Sequence, residues 1–296
     1  MTGGTGVTTV SGIGKPGDAD VRLSYRRAGT SGGDPVVLLH GGGVDDATLS
    51  WRHAIDALAD DYRVYAPNWP GYGDSTPIGE QTIDRYVSVL GGFLAETDLD
   101  DESVSLVGIS MGGAGALGYA LRHPKNVDAL GLVDSYGLGR RIPGGSFFKG
   151  AAHVPGANSL GWTAMSVSSE TTRLALGNVV ANPSDLDPNF VDEFRSRARQ
   201  RGAGEAFEAF QRAELTAEGE ARTDFTDELE SLSVPTLLVH GVDDPLFPVR
   251  WSKRAHELIP NSRLELVDNC GHWAPRERPE EFNEILREFL ENGTDD

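Results

Sequence analysis

Cysteine is almost missing from this sequence. Cys270 stands alone among 296 residues, which excludes an internal disulfide and a zinc site built on several thiolates; a small buried filler beside His272 is the role expected of it. Long hydrophobic runs are missing too, since no stretch reaches the roughly 18 uncharged apolar residues that a membrane-spanning helix needs. The stretch Met1 to Gly14 is polar and rich in Gly and Thr, without the basic-then-apolar order of a secretory signal. It reads as the loose N-terminus of a soluble, cytoplasmic protein. No repeat, low-complexity tract or long linker interrupts the rest.

Positive charge is the third scarcity. Lys and Arg number 26 against 45 acidic residues, a formal charge of -19, and only Lys15, Lys125, Lys149 and Lys253 are Lys. Like charge repels phosphate backbones and acidic bilayers, so neither nucleic acid nor a membrane is expected as a partner. Acidic pairs such as Asp45-Asp46, Asp60-Asp61 and Asp100-Asp101 resemble the Lys-poor surface of proteins from salt-loving organisms. That charge is expected to set solubility and salt response, not chemistry.

What is present is a hydrophobic content of 39%, enough at this length for one large α/β core. The stretch Ser103 to Gly118 organises it. An apolar run ends at Val107, Gly108-Ile109-Ser110-Met111-Gly112 follows, and an Ala- and Leu-rich segment of helical spacing begins. Strand, sharp turn and helix in that order form a nucleophile elbow, in which small residues let a strained Ser present its hydroxyl above the sheet edge. Ser110 is therefore the expected nucleophile. Upstream, the buried-strand run Val36 to Leu39 leads directly into His40-Gly41-Gly42-Gly43. Glycine there lets a backbone N–H approach a substrate oxygen, so Gly42, with Gly43 as the fallback, and the N–H of Met111 are the expected oxyanion donors.

The remaining pattern is a strand and helix alternation that predicts a mostly parallel sheet covered on both faces. Strands are expected at Val21 to Arg27, Arg63 to Ala66, Val127 to Val133, Val234 to His240 and Arg263 to Val267, with amphipathic helices at Ala47 to Ala59, Ile83 to Leu94 and Glu280 to Leu290. Between about Ser135 and Glu220 the pattern breaks. A Gly- and Pro-rich start gives way to a charged segment of helical period from Val191 to Phe210, which reads as a lid over the site. The expected organisation is core for residues 1–137, lid for 138–220 and core again for 221–296. Phe147 and Trp162 of the lid, with Gly43 and Trp273, are the residues expected to meet substrate; Phe148 and Met165 are further lid candidates.

Of seven histidines, only His272 follows the last expected strand, late enough to complete the order Ser, acid, His. It is expected to take the proton of Ser110 and return it to the leaving group, with Asp244 fixing its tautomer. Asp243 is the neighbour in the same turn, and Asp134, after the preceding strand, is an alternate acid. His40 and His240, at strand ends, are expected to be structural. The chemistry calls for no metal and no cofactor.

His40 to Gly43, Pro70 to Ser75, Gly108 to Gly112, Gly241 with Asp244, and Gly271-His272 together resemble the α/β-hydrolase family. The resemblance implies an eight-stranded, mostly parallel sheet with a cap after the sixth strand. Within the family, His40 to Gly43, Ser110 to Gly113, Tyr136 to Gly139 and Gly271-His272-Trp273 look like the meta-cleavage-product hydrolases, which split C–C bonds in vinylogous diketones. The chain departs from that subgroup with Val44-Asp45 in place of Pro-Gly and with Ile109 where many members carry Asn. A Ser at position 110 argues against dehalogenase or epoxide hydrolase chemistry. The expectation is a serine carboxylesterase acting on a small-molecule ester, with C–C hydrolysis of a ketone as the alternative. A ligand-binding homologue without turnover is the third reading, opposed by the intact Ser, Asp and His positions.

Overall fold

The computed structural model describes residues 3–11, 20–154 and 156–293. Eight strands form one sheet: β1 (Gly4–Val10), β2 (Val21–Gly29), β3 (Pro35–Leu39), β4 (Arg63–Pro67), β5 (Val104–Ile109), β6 (Val127–Val133), β7 (Thr236–Gly241) and β8 (Ser262–Val267). Their spatial order is β1-β2-β4-β3-β5-β6-β7-β8. β1 and β2 pair antiparallel, as do β2 and β4, and the strands from β4 onward are parallel. All six parallel strands thus end at one edge, where sheets of this kind hold their ligands.

Residues in the short apolar strands alternate between two cores. Val37 and Leu39 of β3 belong to one, with Tyr86, Leu90 and Phe93 of α2 (Ile83–Glu96, numbered after α1, Ala47–Leu58). Val36 and Leu38 belong to the other, with Leu49 and Trp51 of α1. α3 (Met111–Arg122) joins the first core through Leu117 and Ala120. Continuous apolar strands are what burial on both faces requires.

The insert between β6 and β7 carries α4 (Gly145–Ala152), α5 (Ala157–Met165), α6 (Ser169–Leu176), α7 (Pro188–Ala198) and α8 (Glu205–Glu214). Its base is pinned by isolated bridges between Arg141 and Glu220 and between Leu215 and Ala221. The helical period from Val191 to Phe210 is divided into α7 and α8, because Gly202 and Gly204 take φ of 81° and 79°. α9 (Arg250–Leu258), α10 (Ala274–Glu277) and α11 (Pro279–Asn292) complete the chain. Among the described residues, no helix is long and apolar enough to cross a membrane.

Two expectations are corrected. Gly4–Val10 is an ordered strand paired along its length with β2, not a loose terminus; Met1, Thr2 and residues 12–14 lie outside the described residues, as do Lys15 and Pro155. Val10 is 1% exposed and fills the space beside Gly92 of α2, so the Thr-Gly-Val-Thr-Thr-Val alternation works as an edge strand. Asp45 and Asp46, read as surface acids, are both buried.

Candidate active site

Ser110 sits between β5 and α3 at φ 54° and ψ −120°, a conformation that L residues rarely adopt. Strain of this kind costs about 1–3 kcal/mol and persists only where the surroundings impose it. Here they do. The Ser110 N–H donates to Val133 O at 2.9 Å, and its carbonyl accepts from the Tyr136 N–H at 3.0 Å. A Cβ on Gly112 would lie 2.2 Å from Leu39 O, and one on Gly108 would lie 2.4 Å from Gly112 O, so both glycines of the motif are sterically required. Ser110 itself is only partly buried.

The turn after β8 carries His272, whose Nδ1 lies 2.8 Å from Asp244 Oδ2. Asp244 Oδ1 accepts from the N–H groups of Leu246 and Phe247 at 2.7 and 3.1 Å, which fixes the carboxylate. Burial alone would push the Asp244 carboxyl up; attraction to His272 and the hydrogen bond to it prevail and hold it below the usual carboxylate range. Burial likewise opposes the charged His272 ring, but the charge and hydrogen bond of Asp244 outweigh burial and raise its pKa above 6.5. Asp243 is exposed. Asp134 takes a different position: fully buried, it accepts from the Gly241 N–H at 2.9 Å, and burial pushes its carboxyl well above the usual range.

His40 and His240 are structural. His40 Nδ1 meets Gly41 O at 2.8 Å, its Nε2 accepts from the Trp69 N–H at 3.0 Å, and burial lowers its pKa to about 4. His240 lies 2.7 Å from Ser252 Oγ and 3.2 Å from Phe247 O. Asp134, His240 and Asp244 each offer a ligand-type atom within 4.8 Å of the others. Asp134 Oδ1, both ring nitrogens of His240 and Asp244 Oδ2 are engaged with Gly241, Ser252, Phe247 and His272, and such a group reads as a hydrogen-bonded support for the turn.

After β3 the glycine loop reaches Ser110 closely enough that a Cβ on Gly41 would lie 3.4 Å from Ser110 Cβ. The Gly41 N–H donates to Asp45 Oδ2 at 2.9 Å, leaving Gly42 and Gly43 as the loop's candidate donors. Asp45 was missed by sequence reasoning. Its carboxylate also accepts from Ser50 Oγ at 2.7 Å and from the Asp46 N–H at 2.8 Å, and the Trp273 indole N–H donates to Ser50 Oγ at 2.9 Å. Burial raises the Asp45 pKa to about 7. Trp273 thus braces the glycine loop through Ser50 and Asp45, with Phe190 and Phe194 of α7 packed edge-on against its rings.

A profile of the alpha/beta hydrolase fold matches residues 34–279. The chain belongs to that family. A 2-hydroxy-6-oxo-6-(2'-aminophenyl)hexa-2,4-dienoic acid hydrolase of Metapseudomonas resinovorans is 32% identical over 93% of this hydrolase and 89% of its own length. Among solved structures, a meta-cleavage product hydrolase from Pseudomonas fluorescens superposes with a TM-score of 0.77 at 26% identity, covering 96% of this chain and 97% of the other. A thermophilic esterase from Thermogutta terrifontis gives 0.78 at 25% identity, covering 97% and 98%.

The insert of this α/β-hydrolase meets the glycine loop through two rings. The indole edge of Trp162 lies 3.8 Å from where a Cβ on Gly43 would sit, and Phe207 lies 2.5 Å from the same position on Gly42. Phe207 carried no sequence signal. Phe147, expected to meet substrate, is 75% exposed with its ring against Phe148, and that expectation is dropped. Three arginines of the insert are engaged with partners of their own. Arg195 bonds Asp192 and Ser169, both at 3.0 Å, Arg197 bonds Asp46 at 2.6 Å, and Arg199 bonds the carbonyls of Ser166 and Val167 at 2.5 and 3.1 Å.

Proposed function

We propose that this protein is a serine hydrolase that cleaves a C–C bond beside a ketone, acting on substrates of the 2-hydroxy-6-oxo-dienoate class carried in its relatives' names. Ser110 is the nucleophile, His272 its base and Asp244 the acid that holds the ring with Nδ1 protonated. Nε2 is then free to take the Ser110 proton and later to protonate the leaving group. The N–H groups of Gly42 and Met111 receive the oxyanion. The insert acts as a lid, an assignment supported by the seating of Trp162 and Phe207 on the glycine loop. One observation carries the substrate class: relatives named as dienoate hydrolases are at least 30% identical to the chain over 93% or more of its length.

Ester cleavage, which stood first on the residues alone, is retained as the second reading because of a specific observation. C–C cleavage requires ketonisation of a dienol and a hold on its acid group, yet Ile109 offers no hydrogen bond beside Ser110 and Arg195, Arg197 and Arg199 are all engaged elsewhere. The deciding experiment is steady-state kcat/KM on a 2-hydroxy-6-oxo-dienoate and on short p-nitrophenyl esters, with Ser110→Ala as the blank. A dienoate preference above about a hundredfold, roughly 2.7 kcal/mol in transition-state binding, is expected. An ester preference of that size overturns the C–C assignment, and turnover that survives Ser110→Ala overturns both.

A further inference from the structure

The peptide N–H groups of residues 271, 272 and 273 all point at acceptors outside the turn itself. Glu277 takes two of them: its Oε2 accepts from Gly271 at 2.9 Å and its Oε1 from Trp273 at 3.0 Å. The N–H between them, that of His272, donates to Val179 O at 2.8 Å, in the segment between α6 and α7. Glu277 Oε2 also accepts from the Ala181 N–H of that segment at 2.8 Å. A Cβ on Gly271 would lie 2.6 Å from Ala181 N and 2.7 Å from Val179 O, so the insert presses directly on the turn.

We propose that Glu277 is a positioning residue: its carboxylate clamps the backbone on both sides of His272 to residues 179–181 of the insert, so that the insert's seating sets the aim of the catalytic imidazole. Three N–H donors on one carboxylate make charge-assisted bonds, about twice as strong as neutral ones. An ionised carboxylate accepts at both oxygens, whereas an amide accepts at only one. Gln therefore keeps the volume but turns an NH2 group toward an N–H it cannot receive. The clamp has consequences for turnover only if His272 acts as proposed above, and the test separates the two claims.

Glu277→Gln is compared with wild type by hydrogen–deuterium exchange and by the rate at which a fluorophosphonate labels Ser110, both well below the melting temperature. Exchange is expected to rise at least tenfold in residues 179–182 and 270–274 together, and labelling to slow at least tenfold. Unchanged exchange in either segment overturns the clamp. Faster exchange with a labelling rate less than threefold below wild type overturns its role in aiming His272. If the Gln variant does not fold, Glu277→Asp, which keeps the charge and withdraws the oxygens, is read by the same criteria. A wild type that takes no label overturns the serine hydrolase reading, while exchange continues to decide the clamp.

Discussion

His272 faces Asp244 across a 2.8 Å hydrogen bond, while the other buried acid of the region, Asp134, spends its Oδ1 on the Gly241 N–H. The two acids differ in charge as well as in partner. Asp244 is held ionised by His272, and burial favours the neutral form of Asp134. Asp244→Asn removes the acceptor that fixes the ring tautomer and is expected to lower kcat by about 10⁴-fold. Asp134→Asn keeps an oxygen for Gly241 and replaces a group already inclined to be neutral, so kcat is expected to stay within tenfold. Steady-state rates of the two variants check this, and the reverse order transfers the acid role to Asp134.

The raised pKa of His272 fixes the sign of the acid limb. The protonated ring cannot accept the Ser110 proton, so kcat/KM is expected to fall as pH drops through a value above 6.5. Asp45 titrates at about 7 and brackets the glycine loop, so it competes for the same limb. A pH profile of Asp45→Asn separates them: a limb that persists belongs to His272, and one that vanishes belongs to Asp45. In Asp244→Asn the limb of the residual activity is expected at lower pH, since the charge that raises His272 is gone.

The fold was legible in the sequence wherever one residue type had one physical use. Gly108 and Gly112 flank a serine because no side chain fits against Leu39 O or between the turn's own peptides. His272 was expected from its place in chain order and Asp244 from its position after a buried strand, and the two side chains meet at 2.8 Å. Asp45 and Asp46 were misread because an acidic pair looks the same in sequence whether it faces water or receives buried N–H groups. Asp45 closes the Gly41 turn and Asp46 caps α1 through the Leu49 N–H at 2.7 Å. Phe207 against Gly42 and the Glu277 bond to Ala181 were invisible for a related reason: these contacts join segments far apart in the chain.

The net charge responds to salt, and the buried Asp46 pair does not. A net charge of -19 repels itself, and the Debye length falls from about 10 Å at 0.1 M to 3 Å at 1 M, so the melting temperature is expected to rise with KCl into the molar range. A flat or falling melt removes the salt-adapted reading. The Arg197–Asp46 pair, with side chains 24% and 12% exposed, is sheltered from that screening. Asp46→Ala loses both this pair and a helix cap worth about 1 kcal/mol. It is expected to lower the melting temperature more than Arg197→Ala, at low and high salt alike.

The contact between Phe207 and Gly42 allows the insert and the glycine loop to be tested as one unit. A methyl at position 42 would sit 2.5 Å from two ring carbons of Phe207, so either the ring moves or the loop does. If the loop moves, the donor proposed at Gly42 leaves its place, and the loss of one oxyanion donor costs about 10²–10³ in kcat. Gly42→Ala is therefore expected to lower kcat at least tenfold while leaving the fold intact by thermal melt. Phe207→Ala removes the obstacle, and in the double variant kcat is expected to recover most of that loss. Such recovery is a coupling between residues in contact, which independent sites do not show. If the two effects multiply instead, position 42 fails for a reason of its own, and Phe207 is only part of the roof.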